Sequence, residues 1–434
     1  MTTPHQLKSK KKFNAPALFV NPQSILDAEA LRKTISDYPS ETAYIEGIVV
    51  SLKDLEQVII GLQQSALFNA NEIIGRIRII DPAFNTIFQG YSASKDALMN
   101  VEIDNKKKVG DYQLIAGGLR LRDVVARIGT VDKNKIKEKA DRYINEIYPY
   151  MDILVSPIMK NSIDKRSDMV IVPCVPITNS LLISRQVEQA RKMNRAGKIL
   201  AETLFAKEME NRDLMFMLTV NMSVIRQENY DEMISTLIIH DNDQIIFPDQ
   251  IGIRLENEDN SNVEATQSFL DFIARLARTL KNYNKEIPIH LFNVRESGYV
   301  AFCYGATTIT SPIATPPSIK RSTTGGYVTD MGKYYHPTHM LDYRYEKLLA
   351  LTRIEYILPC HCKVCEREKN LLKVRDNWNQ FRREHFLLVK HIEMKEIKEA
   401  PSSVLNRHIQ QKFSRSKQTV WLAFLDQQPI LTFN

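Results

Sequence analysis

The chain has 434 residues, of which 44% are hydrophobic and 25% are charged, proportions typical of a folded globular protein. No uninterrupted apolar stretch reaches the roughly eighteen residues of a membrane-spanning helix, so we expect no membrane partner. The net charge of +7 is compatible with a polyanionic partner but does not require one.

The five cysteines are unevenly placed, because three of them lie between residues 360 and 365. A disulfide-stabilised secreted protein instead spreads an even number of cysteines along a short chain. The basic run from Lys8 to Lys12 is followed by too few apolar residues for a secretory signal. We therefore expect a cytoplasmic protein in which residues 1–12 form a tail.

Short β-branched apolar runs alternate with longer amphipathic stretches, a pattern typical of parallel strands connected by helices. In chain order, the predicted strands are Thr42–Val50, Arg76–Asp81, Met151–Pro157, Asp168–Val175, Leu214–Val220, Gln250–Leu255, Ile287–Asn293 and Ala306–Thr310. The predicted helices include Asp132–Tyr148, Leu182–Asn211 and Val263–Tyr283.

These eight strands predict an α/β protein closed into a (β/α)₈ barrel, the TIM-barrel fold. An open, doubly wound sheet is the alternative, although no glycine-rich dinucleotide motif follows the first strands. The predicted divisions are a tail and lead-in helix at 1–40, the barrel at 41–350, a C-terminal subdomain with the three clustered cysteines at 351–400 and a C-terminal segment at 401–434.

The strongest chemical signal is the motif formed by Cys360, Cys362 and Cys365. Three thiolates this close in sequence can converge on one ion, and zinc favours tetrahedral sulfur and nitrogen ligands. Four protein ligands leave no position for an activated water, so we expect a structural zinc and a C-terminal zinc-binding subdomain at 351–400 that follows the TIM barrel. Free thiols and a redox-active Cys pair are the alternatives. The fourth ligand is drawn from His361, His385 and His391; His361 would point away from the ion, and spacing alone does not separate the other two.

The cysteine motif, followed after twenty-five residues by His391, resembles the zinc site of the tRNA-guanine transglycosylase family. Two further segments, Ile287–Val294 and Tyr304–Thr310, are similar to the seventh strand and the eighth strand of that family's TIM barrel. The family includes a branch that acts on DNA. The resemblance covers about residues 250–400, and its spacing selects His391 over His385 as the fourth zinc ligand.

The resemblance implies that guanine in a nucleic acid is exchanged for a 7-deazaguanine base. In that family one Asp attacks the ribose anomeric carbon, and a second Asp, in an Asp-Ser-Gly-Gly-Phe motif, is the general acid and base. The nucleophilic carboxylate should end the eighth strand, but Thr310 stands at that position. A threonine hydroxyl without an adjacent base is a poor nucleophile.

Two carboxylates remain as candidates for catalysis. Asp81 ends a predicted strand, and the run Asp81-Pro82-Ala83-Phe84 is distantly similar to the family's Asp-Ser-Gly-Gly-Phe motif. Asp330 follows the eighth strand and could supply a displaced nucleophile. Asp before Pro is also a common turn signal, and a glycine-containing loop is often only a polar surface, so both structural alternatives stay open.

Basic residues near these segments are candidates for contacts to a nucleic-acid backbone. The loop after the eighth strand contributes Lys320, Arg321 and Lys333. The stretch after the cysteines contributes Lys373, Arg375, Arg382, Arg383 and Lys390.

Two classes of function follow. The first is a base-exchange enzyme that acts on DNA or tRNA with a rearranged carboxylate site. The second is a catalytically degenerate zinc barrel that binds nucleic acid or a catalytic partner. We favour the enzyme, because families more often move a catalytic group than keep a whole barrel without it. The sequence does not decide between DNA and tRNA, identify the deazaguanine, or distinguish a homodimer from a heteromer.

Overall fold

The computed structural model describes most of the chain between residues 15 and 414, with gaps. The described residues are 15–52, 54–63, 76–82, 102–104, 107–108, 151–177, 183–241, 244–256, 263–292, 294, 296–313, 333–352, 357–400 and 405–414.

Eight parallel strands close into a barrel, which confirms the predicted fold class. Each strand pairs with its neighbours in chain order, and the first strand closes the ring by pairing with the last. The barrel strands are β1 (Ala17–Asn21), β2 (Ile45–Ser51), β3 (Ile77–Asp81), β4 (Met169–Val172), β5 (Asp213–Asn221), β6 (Gln250–Glu256), β7 (Ile289–Phe292) and β8 (Thr308–Pro312).

The predicted strand count is right, but one predicted strand is wrong. Met151–Pro157 belongs to a helix, Met151–Asp164. Its buried side chains, Val155, Ile158, Met159 and Ile163, recur every three or four residues, which is helical spacing rather than the alternation of a strand.

The strand that sequence reasoning missed is β1, which lies in the region predicted to be tail and lead-in helix. Ala17 to Val20 are fully buried because β1 hydrogen-bonds on both edges, to β2 and β8. The barrel therefore begins before residue 41, and the predicted boundary is corrected to include β1.

Helices cover the outside of the barrel and form the C-terminal region. The predicted helices at 182–211 and 263–283 are confirmed, the first of them in two pieces, while 132–148 lies outside the described residues. The helices are α1 (Ile25–Asp37), α2 (Leu55–Gly61), α3 (Met151–Asp164), α4 (Ile183–Glu202), α5 (Ala206–Met209), α6 (Tyr230–Ile234), α7 (Val263–Asn282), α8 (Glu296–Phe302), α9 (Tyr345–Thr352), α10 (Lys363–Glu368), α11 (Trp378–Glu399) and α12 (Leu405–Ser414). Within the described ranges, no helix is both long enough and apolar enough to cross a membrane.

The lumen of the barrel is packed with large side chains, including Phe19, Met215, Met217 and Phe292. Gly252 on β6 is required by this packing, since an added Cβ would lie 2.8 Å from Met215 Sδ and 2.9 Å from Phe292 Cε2. The lower and middle lumen is therefore a core rather than a pore.

The C-terminal region is joined closely to the barrel. After the barrel comes a hairpin of β9 (Lys333–His336) and β10 (Leu341–Arg344). Helix α11 then packs on α1, where Arg383 pairs with Asp27 and Glu384 pairs with Lys33. The hairpin and α11 together enclose the cysteine motif.

Candidate metal centre and barrel mouth

Three cysteines and one histidine converge at the C-terminal end of the fold. They are Cys360, Cys362, Cys365 and His385, and their candidate ligand atoms all lie within 4.8 Å of one another. His385 Nδ1 lies 3.3 Å from Cys362 Sγ and 3.2 Å from Cys365 Sγ. The chain thus brings the predicted cysteines together with a histidine from α11.

The cysteine motif curls because it turns directly into a helix. Cys362 is the N-cap of α10, its carbonyl accepts the Glu366 amide at 2.9 Å, and its own amide donates to Cys360 Sγ at 3.4 Å. Amides at a helix N-terminus favour negative charge, here the thiolates. One turn of helix then brings Cys365 to the same side as Cys362.

The prediction of His391 as the fourth ligand is wrong, and His385 takes that place. The two residues are six positions apart on α11, which rotates one by about 240° from the other at 3.6 residues per turn. His391 therefore faces the segment between α1 and β2, where its Nδ1 accepts the Tyr44 amide at 3.2 Å. The family's sequence spacing selected His391 because spacing alone does not show which face of α11 meets the cysteines.

Surrounding groups hold His385 in one orientation. Its Nε2 donates to the Tyr335 carbonyl at 2.7 Å, which leaves Nδ1 directed at the thiolates. The Tyr334 ring stacks on the imidazole at 4.1 Å, and the Tyr334 hydroxyl lies 3.6 Å from Cys365 Sγ. Such outer contacts set the tautomer and ring orientation of a metal-binding histidine.

Proximity and burial shift the pKa values of the four candidate ligand groups. Hydrogen bonds from Cys362 and Cys365 lower the pKa of Cys360, whereas burial raises the pKa of Cys365. Burial alone would lower the pKa of His385, but the neighbouring thiolates raise it to about 10. A divalent cation would neutralise these thiolates.

The geometry fits a tetrahedral metal ion. Metal–sulfur bonds of about 2.3 Å and metal–nitrogen bonds of about 2.0 Å place ligand atoms roughly 3.4–3.8 Å apart in a zinc site, close to the spacing found here. Cys362, Cys365 and His385 are buried, and Cys360 is half-buried. The Cys₃His group could therefore hold one metal ion, with every position of the tetrahedron filled by protein.

The second candidate region is the mouth of the barrel, at the C-terminal ends of the strands, where TIM-barrel enzymes carry their catalytic groups. Asp81, at the end of β3, is 4% exposed, and Arg254, near the end of β6, is 5% exposed. Arg254 Nη2 donates to Asp81 Oδ2 across the lumen. The predicted carboxylate is therefore at the expected end of the barrel, but it is engaged by an arginine.

Thr310 on β8 occupies the position where the resembled family has its nucleophile. Its hydroxyl is hydrogen-bonded to His290 Nε2 on β7 at 2.6 Å, and both residues are fully buried. Burial lowers the pKa of His290 to about 3. Thr310 thus has an adjacent imidazole that sequence reasoning missed, although so weak a base gives little activation.

The basic candidates separate into buried and exposed groups. Arg382 and Arg383 are each 7% exposed, and Arg383 pairs with Asp27. Both guanidiniums are therefore too buried to be the exposed backbone contacts that the sequence suggested, and Arg383 is enclosed between α11 and α1. Lys373 and Arg375 are exposed, and Lys333 is half-buried. Lys320, Arg321 and Asp330 lie outside the described residues.

A buried charged junction near the metal group was also missed from the sequence. Glu393 on α11 accepts from the hydroxyls of Tyr299 at 2.6 Å and Tyr335 at 2.9 Å, and from Lys390 Nζ at 3.0 Å. Burial alone would raise the pKa of Glu393, but Lys390 and Lys412 lower it overall. Lys390 is therefore part of the join between the barrel and α11, not of a binding surface.

Comparison with known proteins adds no relative to this description. No known family model matches the chain, and no curated protein matches it. The TIM barrel and its Cys₃His group therefore rest on the geometry of this chain.

Proposed function

We propose that this protein is a catalytically degenerate, transglycosylase-like barrel that binds nucleic acid, with one structural zinc at Cys360, Cys362, Cys365 and His385. The zinc would join the cysteine motif to α11, a role suited to four protein ligands and no open position. No reaction step is assigned to the metal.

The observation that carries this proposal is the hydrogen bond between Thr310 and His290. A base-exchange reaction through a covalent intermediate needs a nucleophile that can reach the sugar. Thr310 is fully buried, and its neighbouring imidazole, with a pKa of about 3, is a weak base. The pair is better suited to stabilising the lumen than to attacking a substrate.

The engagement of Asp81 supports the same conclusion. A general acid must be able to contact its substrate, and a carboxylate oxygen that accepts a hydrogen bond from a buried guanidinium is already engaged. Asp81 and Arg254 form such a pair at the barrel mouth. Both carboxylate positions of the resembled mechanism are therefore altered.

Binding to nucleic acid is supported by exposed cations beside the metal group. Exposed lysines and arginines contact phosphates, and such contacts supply most non-specific affinity. The exposed cations of this surface, which we call the basic face, are Lys363, Arg367, Lys369, Lys373 and Arg375. The acids in the same stretch are Glu366, Glu368 and Asp376, and Arg367 is ion-paired with Glu368 and Glu384. Five cations against three acids leave the face with a net positive charge.

A base-exchange enzyme is the second candidate, and the position of Asp81 favours it. Asp81 lies at the strand end where barrel enzymes place catalytic groups. This function also needs a second carboxylate to act as nucleophile, and Asp330 is the candidate in sequence. Asp81 would then act as the acid and base, released from Arg254 when substrate binds.

The two functions are separated by measuring base exchange and binding on the same zinc-loaded protein. Purified protein is incubated with tRNA or duplex DNA and a labelled 7-deazaguanine, and label retained in each polymer is counted. Binding to each polymer is measured in parallel at several salt concentrations. Salt-dependent binding without label supports the proposed function.

Retained label in either polymer would overturn it, provided that Asp81→Asn or Asp330→Asn removes the label. Protein that neither binds nor labels a polymer would also contradict nucleic-acid binding. The alternative accessory role, binding to a catalytic partner, would then be the remaining form of the degenerate barrel.

A further inference from the structure

We propose that Cys360 is a redox-sensitive modification site: a peroxide oxidises its thiolate, the metal ion is released, and the basic face loses its attachment to α11. This inference rests on the structural zinc and the basic face of the proposed function, and it names how that face is regulated. It starts from an asymmetry of the metal centre, in which three candidate ligands are buried and Cys360 is half-buried.

The metal centre borders a groove on the side of Cys360. The groove has a volume of about 490 Å³ and lies between the turn of the hairpin, the cysteine motif, α11 and α12. One water molecule takes up about 30 Å³ in the liquid, so the groove admits hydrogen peroxide, which is little larger. Cys360 and Cys362 both line the groove, but Cys362 is only 2% exposed. An oxidant in the groove therefore meets Cys360 first.

The other side of the ligand set is covered by aromatic side chains. Cys365 is 1% exposed, and His385 is fully buried. The Tyr334 ring stacks on His385, and its hydroxyl lies 3.6 Å from Cys365 Sγ. Trp378 stacks on Tyr334 in turn. These contacts shield Cys365 and His385 from a dissolved oxidant.

The oxidation transfers two electrons from two sulfurs to the peroxide. A metal-binding cysteine is already a thiolate, the form that reacts with peroxides. Cys360 Sγ attacks one peroxide oxygen and breaks the O–O bond. Cys360 becomes a sulfenic acid, and the departing hydroxide takes up a proton to form water.

A second cysteine completes the reaction. The thiolate of Cys362 or Cys365 forms a disulfide with the Cys360 sulfur and displaces hydroxide, which takes up another proton to form a second water. The candidate ligand atoms all lie within 4.8 Å of one another, so either sulfur is near enough for this step. Two of the four ligands are then lost, and one cysteine and His385 are too few to retain the ion.

The position of the basic face depends on the metal centre. Helix α10 begins directly after Cys362 and includes Cys365, and it carries Lys363 and Arg367 of the basic face. Metal bonds from these two cysteines and from His385 attach α10 to α11. Structural zinc contributes about 10 kcal/mol or more to small metal-dependent folds, so release of the ion detaches α10 and the cations that follow it.

The test compares two zinc-loaded variants that have the same ligand composition. Cys360→His and Cys362→His each leave two cysteines and two histidines, a common zinc ligand set, but only the second keeps Cys360. Hydrogen peroxide is added in the presence of a chromogenic zinc chelator, and the rate of zinc release is measured. We expect Cys360→His to release zinc about tenfold more slowly than wild type. Cys362→His should release it at nearly the wild-type rate, and equal rates in the two variants would overturn the proposal.

Wild type provides a second measurement that does not depend on the folding of a variant. After brief treatment with iodoacetamide, mass spectrometry gives the order in which the cysteines are modified. Cys360 should react before Cys362 and Cys365. Cys174 and Cys303, which are buried elsewhere in the chain, should stay unmodified and so report that the protein is folded. Modification of Cys362 or Cys365 before Cys360 would contradict the proposal.

Nucleic-acid binding tests the consequence for the basic face. Affinity is measured for reduced, zinc-loaded wild type, for the same protein after peroxide, and after reduction with dithiothreitol in the presence of zinc. We expect oxidation to weaken binding by about tenfold or more, and reduction with zinc to restore it. Unchanged affinity after zinc release would overturn the inference.

The proposed function fails by different results. It fails if reduced, zinc-loaded wild type binds neither polymer or exchanges bases. Zinc release and cysteine modification are measured without nucleic acid, so the two failures are distinguishable.

Discussion

The metal centre and the barrel mouth handle their polar groups in opposite ways. At the metal centre, the four candidate ligand atoms lie within 4.8 Å of one another. Contacts from Tyr334 and Tyr335 hold the His385 ring in place. At the mouth, Asp81 forms an ion pair with Arg254, and Thr310 is hydrogen-bonded to His290. The first group of side chains could hold one metal ion, whereas the polar side chains of the second are hydrogen-bonded to one another.

The largest expected effect separates the two histidines of α11. His385→Ala should lose the metal and unfold the C-terminal region, because structural zinc contributes about 10 kcal/mol or more to small metal-dependent folds. His391→Ala should keep one metal per chain and lose only about 1 kcal/mol, from the bond to the Tyr44 amide. Elemental analysis and circular dichroism of both variants check this. Equal metal loss in both variants would contradict the assignment of His385, rather than His391, as the fourth ligand.

The next effect concerns the ion pair between Asp81 and Arg254 at the barrel mouth. Asp81→Asn should lower the free energy of unfolding by about 3–5 kcal/mol, because it leaves Arg254 buried without its charge partner. Replacing both residues, as Asp81→Leu/Arg254→Met, should recover most of that loss. Urea titrations of the two proteins measure the difference. A stable Asp81→Asn protein would indicate a mouth open enough for water to solvate Arg254.

A smaller effect comes from acid. Because the pKa of His290 is about 3 in the folded protein and about 6.5 in an unfolded chain, only the unfolded state gains that proton between these values. The free energy of unfolding should therefore decrease as the pH falls from about 6.5 towards 3, by up to about 1.4 kcal/mol per unit.

His290→Gln keeps a partner for Thr310 but removes the titration. Its unfolding free energy should fall less steeply than that of wild type between pH 6 and 4, in parallel urea titrations. His336 and His391, whose pKa values are lowered by burial to about 4, remain in both proteins and act in the same direction. Identical slopes would show that His290 does not stay neutral in the lumen.

The smallest effect tests the basic face. Lys373→Glu/Arg375→Glu should weaken binding to tRNA and DNA to a similar extent and reduce the salt dependence by about two phosphate contacts. Lys160→Glu, at an exposed position of α3, is the control and should leave affinity nearly unchanged. Binding titrations at three salt concentrations give both quantities. An equal loss of affinity in the control would show that binding depends on the net charge of the protein and not on the basic face.

Local patterns predicted much of the fold and three of the four candidate ligands of the metal centre. Seven predicted strands correspond to β2–β8, because buried parallel strands are rich in β-branched and other apolar residues. The cysteines were found because all three ligands lie within six residues. His385 was missed because the choice between two histidines depends on which helix face meets the cysteines.

The side-chain pairs at the mouth could not be predicted, because they join residues that are distant in the sequence. Asp81 and Arg254 come from opposite sides of the barrel, 173 residues apart in sequence. His290 appears in sequence as one polar residue inside an apolar strand, and only the register of β7 and β8 places it beside Thr310. β1 was missed because five residues carry too little pattern to be separated from a tail.

The packing of α11 on α1 has a consequence for folding during synthesis. Asp27 and Lys33 find their partners at Arg383 and Glu384, and β1 finds one of its two neighbours only at β8. A ribosome releases the first helix and strand long before those partners exist. The early elements therefore stay incompletely covered until synthesis has reached α11, which leaves a long interval in which chaperones can act.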